Sequence, residues 1–580
     1  MTDFDTDVFI VGTGPTGSSA ALALATYGIR THLVSRYHWL SNTPRAHITN
    51  QRTMEALRDL GIEAEVERYG SAWEVMGDTL FTTSLAGPEI ARIRTWGTGD
   101  ERYGDYLKGS PCSMLDVPQP YMESVLLRNA AERGANVSFN TEYLSHIQDA
   151  EGVTVTLCDR LTDREYSVRA KYLIGADGAR SQIAEELGLE IKGQLGRATT
   201  AYVQFTADLS RYVSHRPSIL HWIMTPSANY GEIGMGLLRA ISPWTKWIAG
   251  WGYDPAEGEP DFTPDAVTAK VRNLVGDPEL ELTIDATSTW LVNQAYATTY
   301  SVGRVFCGGD AVHRHPPSGG LGSNTCIQDA FNLAWKLAFV IKGHAGATLL
   351  DSYTAERMPV GRQIVERANK SRVDFGRLNS IIRTEGSADP VAAALAKIRA
   401  ATPDGVAARD EITAALELKN YEFNAQGVEM NQRYASSAVV AAGGDEIWER
   451  DRELYLQPTT RPGAKMPHAW LVDEQGLRLS SLDVVGHGKF TLVTGIGGRA
   501  WVEAAATLDL PYLRTTVIGG PGSEDPYRSW ASAREMDEAG ALLVRPDGYI
   551  AWRHAEAVWN REEASVKLTD TIRSVLGQES

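Results

Sequence analysis

Gly12-Thr13-Gly14-Pro15-Thr16-Gly17 sets three glycines at the spacing that a dinucleotide requires. The first permits a tight turn, the second lets backbone approach a pyrophosphate, and the third lets a helix close on a strand. A helix starting at that loop adds free N–H groups and positive partial charge for the phosphates. The strand that follows should end in Asp or Glu to take the ribose hydroxyls, but Ser35 stands there, followed by Arg36. Ribose binding must then be completed otherwise, with Arg36 a candidate, and the nucleotide stays open between NAD and FAD. Gly175-Ala176-Asp177-Gly178 and Gly308-Gly309-Asp310-Ala311 are two more glycine–aspartate turns, and Pro316-Pro317-Ser318-Gly319-Gly320-Leu321-Gly322 is a further glycine loop. His47 carries an imidazole whose ordinary pKa of about 6.5 suits a base. A lone histidine of this kind reads first as a satisfied core or loop residue. His313 and His315 form a pair without a third ligand at convincing spacing, so no metal is expected.

The elements that must position these groups follow from pattern. Asp7 to Gly12 is a short β-branched run suited to a buried parallel strand, Ser18 to Tyr27 is helical with Gly28 at its end, and Thr31 to Ser35 is a second strand. This is a βαβ opening. Lys171 to Gly178 and Arg304 to Asp310 are strands running into glycine turns. A helix from Thr325 to Lys342 follows, with Thr325 and Gln328 spaced as a capping box. Between residues 195 and 300, alternating stretches such as Thr200 to Phe205, His221 to Met224 and Gly234 to Leu238 read as antiparallel strands. Ala388 to Leu418 reads as helix broken at Pro403-Asp404-Gly405, and the remainder alternates strands and helices, with a hairpin over Ala541 to Trp552. Gly495-Ile496-Gly497-Gly498-Arg499-Ala500 repeats the dinucleotide pattern, but the next strand ends in Gly519-Gly520 with no acidic residue, so it reads as structure.

All the glycine turns in this order and near these separations resemble the class A flavoprotein monooxygenases, the para-hydroxybenzoate hydroxylase-like family, over about residues 5–375. Thr43-Pro44-Arg45-Ala46-His47-Ile48-Thr49-Asn50 and Gly309-Asp310-Ala311-Val312-His313-Arg314-His315-Pro316-Pro317 are most similar to the single-component phenol hydroxylases. The resemblance implies an α/β chain: a Rossmann-like FAD-binding domain (1–80, 107–195 and 300–385), an inserted β-rich substrate domain (81–106 and 196–299), a helical linker (386–429) and a thioredoxin-like C-terminal domain (430–580). It implies tightly bound, non-covalent FAD, with NADPH or NADH as transient co-substrate and O₂. Gly12, Gly14, Gly17, Ser35, Arg36, Arg45, Gln119, Arg128, Asp177, Asp310, Pro317, Gly320, Leu321 and Gly322 match cofactor positions. His47 becomes the base that ionises a phenol, because an electrophilic flavin hydroperoxide reacts faster with an electron-rich phenolate and a phenol of pKa about 10 is mostly protonated at pH 7. Asp116 is assigned to orienting it or the substrate hydroxyl, and Arg239 to steering flavin or nicotinamide. Trp96 and Trp222 are pocket candidates. The expected reaction is ortho-hydroxylation of a chloro- or aryl-substituted phenol to a catechol. The alternatives are a polycyclic polyketide or antibiotic substrate, or a non-catalytic ligand-binding protein.

The bulk properties exclude more than they identify. In 580 residues, 56 Lys and Arg stand against 73 Asp and Glu, a net charge of −17 that argues against nucleic-acid or anionic-membrane partners. No apolar run approaches the ~18 residues of a membrane span, the acidic N-terminus lacks a secretory pattern, and a cytoplasmic homodimer or homotetramer is expected. Cys112, Cys158, Cys307 and Cys326 include no CxxC pair, and none lies in the C-terminal domain, which therefore has no dithiol chemistry.

Overall fold

A computed structural model describes residues 4–225, 228–382 and 387–578. The expected boundary at 385/386 lies outside these described residues. Thr6–Val11 is buried at every position, the condition for a parallel strand covered by helices on both faces. It pairs in parallel with Thr31–Val34 on one side and Arg164–Gly175 on the other, and Arg164–Gly175 pairs in parallel with Val305–Cys307. The register sets Val11 opposite Gly175 and Gly175 opposite Cys307. Three glycine turns that lie far apart in the chain are therefore gathered at the carboxyl edge of one sheet, where open α/β sheets bind ligands. The helices Pro15–Thr26 and Gly322–Ile341 pack on each other over this sheet.

A second sheet runs in the order His313–Arg314, Thr283–Ala297, Ile191–Thr206, Lys246–Tyr253, Gly236–Ser242, Leu220–Ile223, Asp78–Thr82, Glu89–Arg94. It is antiparallel except where Leu220–Ile223 meets Asp78–Thr82. One face carries an aromatic core containing Trp222, Tyr230, Trp247 and Phe375. A short ladder, Ile48–Thr49 against Leu115–Asp116, is separate from both large sheets.

In the C-terminal region Leu513–Val517 and Phe490–Thr494 pair in parallel across the helix Arg499–Leu508. Ala541–Val544 and Ile550–His554 then add an antiparallel hairpin. Its own core holds Leu471, Val493, Leu542 and Val544.

One boundary differs from expectation and another agrees with it. The long helix starts at Gly322, and Thr325 bonds back to the Leu321 carbonyl at 2.9 Å instead of capping. The helical stretch expected over 388–418 is broken between Pro390–Arg399 and the next helix, and Pro403 is the first residue after the break. It opens Pro403–Phe423 at a position where its missing N–H costs nothing, with Thr402 as the cap.

Candidate active site

Two of the three glycines in the first loop are fixed by the chain itself. Gly12 holds φ +109°, and a Cβ there would collide with the Ala176 carbonyl; a Cβ on Gly17 would collide with the Gly12 carbonyl. A Cβ on Gly14 would meet nothing within 4 Å. Gly14 is therefore the position where backbone is bared outward, as close approach of a diphosphate demands. The helices beginning at Pro15 and at Gly322 both lack a side-chain cap. Uncapped helix N-termini favour anionic groups, and the loop residues present fit a dinucleotide.

The second helix terminus is tied to the histidine. Asn324 donates to the carbonyls of Gly320 (2.7 Å) and Ile48 (2.8 Å) and accepts from the Asn50 N–H (2.9 Å). Gly320, at φ +62°, lies so close to Ile48 that a Cβ would come within 2.7 Å of its side chain. The glycine loop thus rests directly on the strand that follows His47.

His47 and Asp116 are neighbours because of the short ladder. Ile48 faces Asp116, and the Val117 N–H donates to the His47 carbonyl at 2.8 Å. Both side chains are almost wholly buried, and His47 Nδ1 lies 3.9 Å from Asp116 Oδ1. Arg239, in Gly236–Ser242 of the second sheet, donates through Nη2 to that same oxygen. His47 Nε2 lies 3.2 Å from the Pro44 carbonyl, which only accepts, so Nε2 carries the proton and Nδ1 a free lone pair. Nδ1, Asp116 Oδ2 and Arg239 Nε have no hydrogen-bond partner among the described residues. Burial, then the Arg239 charge, hold the imidazole well below its usual pKa, so it is neutral at pH 7. Burial lifts the Asp116 carboxyl above its ordinary range, opposed by the charge and hydrogen bond of Arg239.

The remaining expected residues divide. Ser35 is buried at the end of its strand and accepts from the Tyr37 N–H at 3.3 Å, while Arg36 is exposed over the Tyr37 ring. Arg45 is exposed, and Gln119, at the start of Gln119–Glu132, donates to Glu123 at 2.7 Å. Arg128 lies more than two turns further along that helix and pairs with Glu65. Asp177 accepts from Ser181 Oγ (2.6 Å) and the Ile183 N–H (3.2 Å), so it organises the turn into Gln182–Glu186. Asp310 and Pro317 are exposed, Leu321 is buried, and Gly322 lies against His315. Trp96 and Trp222 are buried in the aromatic core, and neither indole N–H has a hydrogen-bond partner among the described residues. The Gly495 to Ala500 loop is occupied by its own chain: the Gly497 N–H points at the Glu538 carboxylate, 3.3 Å away.

Asn324, Asp329 and Arg357 escaped the sequence reading. A signal was present, because Asn324, Gln328, Asn332 and Lys336 recur every four residues and form one polar stripe on an otherwise apolar helix.

This geometry sets glycine loops that fit a dinucleotide beside an enclosed cluster of His47, Asp116 and Arg239. Residues 5–368 match the FAD-binding domain family, and residues 459–578 match the aromatic-ring hydroxylase C-terminal domain. The chain belongs to this family of FAD-dependent aromatic-ring hydroxylases. It is 49% identical over 583 residues to the 2,4-dichlorophenol 6-monooxygenase of Cupriavidus pinatubonensis, covering 99% of this chain and 97% of that protein. It is 44% identical to the phenol 2-monooxygenase of a Pseudomonas species, covering 97% and 91%. Among solved structures, the flavin-dependent monooxygenase PieE in complex with FAD and substrate superposes over the full length of both chains with a TM-score of 0.94 and 42% identity.

Proposed function

We propose that the chain hydroxylates a simple or halogen-substituted phenol next to its hydroxyl group, giving a catechol and consuming O₂ and NAD(P)H. The observation that carries this reading is the free lone pair of His47 Nδ1, enclosed beside the Asp116–Arg239 pair and under the glycine loop at Gly320. FAD, held by the Gly12–Gly17 loop, Asp310 and the Gly320–Gly322 terminus, supplies the oxygen-transfer chemistry when bound.

The residues of the chain prepare the phenol. His47 Nδ1 accepts the phenolic proton, the Asp116 carboxylate offsets the charge of the imidazolium, and Arg239 holds the phenolate. Ionisation makes the ring carbons beside the oxygen electron-rich, which is what an electrophilic oxygen donor requires. Trp96 and Trp222 supply apolar walls that keep water out. In the overall balance, phenol, O₂, NAD(P)H and a proton give catechol, NAD(P)⁺ and water. The C-terminal region is assigned a thioredoxin-like fold without redox function, on its parallel pair, hairpin and closing helix and on its lack of cysteine.

The test is NAD(P)H and O₂ consumption by the purified yellow protein with phenol, 2,4-dichlorophenol, 2-phenylphenol and a polycyclic quinone. Stoichiometric catechol from the small phenols supports the reading. Turnover confined to the polycyclic compound overturns it.

A further inference from the structure

A connected group of buried charges lies outside the acid–base centre. The Gly309 N–H, in the glycine–aspartate turn, donates to Asp329 Oδ2 at 3.1 Å, and His313 Nε2 lies 2.8 Å from the same oxygen. Asp329 Oδ1 accepts from Arg357 Nε at 2.7 Å, with both side chains fully enclosed. Arg357 Nη1 donates to Gln432 Oε1 (2.8 Å) and Tyr434 Oη (3.0 Å), and Gln432 Oε1 also accepts from Tyr549 Oη at 3.1 Å. Tyr549 stacks on Tyr434 with ring centres 4.1 Å apart.

Tyr549 ends the tight turn of the C-terminal hairpin. Arg545, on the other side of that turn, grips Glu356 with two bonds of 2.6 and 2.9 Å and also bonds Asp547. Glu356 is the chain neighbour of Arg357 and also accepts from Lys336 at 2.8 Å. From the other direction, Arg52 donates to the Asp547 carbonyl at 2.8 Å, and Arg52 sits in the helix that follows the His47 strand. One turn of the C-terminal hairpin therefore reaches both the glycine–aspartate loop and the His47 arm.

Burying these charges costs several kcal/mol each unless every one is met, and apolar side chains of similar volume would hold the domains together at least as well. The hairpin does not need them for its own fold, because Leu542 and Val544 already sit in a separate apolar core. What a satisfied polar network adds is a single geometry. We propose that Arg545, Asp547 and Tyr549 are positioning residues for FAD, acting through Arg357 and Asp329 on the Gly308–Asp310 turn. This rests on the FAD reading of that turn.

Coupling of this kind is reciprocal: if the hairpin sets FAD affinity, FAD must stabilise the hairpin. The experiment compares full-length apoprotein with FAD-reconstituted protein by amide hydrogen exchange, and measures the FAD Kd of Tyr549→Phe and Arg545→Lys by flavin fluorescence. The expected result is slower exchange in residues 541–554 when FAD is added. Both variants should show an FAD Kd raised on the order of tenfold, the worth of one hydrogen bond in a charged network, and an altered flavin absorption band at unchanged far-UV circular dichroism. If a variant does not fold, the exchange measurement on the unmodified chain decides alone. Unchanged hairpin exchange, or unchanged Kd in folded variants, overturns the inference. A chain that takes up no FAD at all overturns the cofactor reading as well, so the two failures are distinguishable.

Discussion

Arg239 and Asp116 join the two halves of the site: a guanidinium from the second sheet meets a carboxylate on the short ladder that carries His47. Both are buried, so neither can lose its partner cheaply. Replacing Arg239 by Met leaves the Asp116 carboxyl buried and unpaired, which costs about 3–5 kcal/mol. The double change Arg239→Met with Asp116→Leu removes both charges and should recover most of that stability. It should not recover hydroxylation, because no group remains to hold the phenolate. Thermal unfolding and catechol formation, measured on both proteins, separate the structural share of this pair from the chemical one. Activity returning together with stability would refute a chemical role.

Gly14 should dissociate cofactor binding from folding. Its φ of −68° is open to any residue, and an added methyl meets no atom of the chain. Gly14→Ala should therefore cost the apoprotein under about 1 kcal/mol, the difference between Gly and Ala as a helix cap, while FAD affinity falls at least tenfold. Gly17→Ala drives a methyl into the Gly12 carbonyl and should lower the apoprotein Tm as well. Calorimetry of the two apoproteins beside FAD titration checks the contrast.

Glycine turns and strand patterns were legible in the sequence because each is local: a glycine at positive φ or a β-branched run declares itself within a few residues. Their gathering at one sheet edge was reached through family resemblance, since register between strands as distant as Thr6–Val11 and Val305–Cys307 is not written in either one. The stripe from Asn324 to Lys336 was missed for a different reason: polar residues on a helix read as a solvated face until partners from residues 356, 432 and 547 enclose them.

Glu429 makes the stability of the chain pH-dependent in a direction opposite to most carboxylates. Burial lifts its pKa to about 8, only partly offset by the Arg102 charge, and its Oε2 has no hydrogen-bond partner among the described residues. A carboxyl raised in the folded state contributes stability below its unfolded value of about 4.5 and loses it as pH climbs toward 8. Glu429→Gln keeps the shape and removes the proton. Its Tm should exceed that of the parent by several degrees at pH 8.5 and match it at pH 5. Equal Tm differences at both pH values would mean that Glu429 does not titrate in this window.

His47→Ala supplies the sharpest test of the proposed chemistry. In the parent enzyme the imidazole is neutral down to well below pH 6.5, because burial and Arg239 disfavour its charged form. A base that is already unprotonated keeps kcat/KM for phenol nearly flat from pH 6.5 to 9, and the rate falls only on the acid side. Without it the phenol must ionise unaided, so the rate should drop by about 100-fold or more at pH 7, the usual worth of a general base. It should then climb about tenfold per pH unit toward the phenol pKa of about 10. A more acidic halophenol, already ionised at neutral pH, should lose much less than phenol does. FAD content and NAD(P)H oxidation without substrate, measured on the same preparation, show whether the variant is otherwise intact. A His47→Ala enzyme with a flat profile and equal losses on both phenols would remove His47 from the proton path.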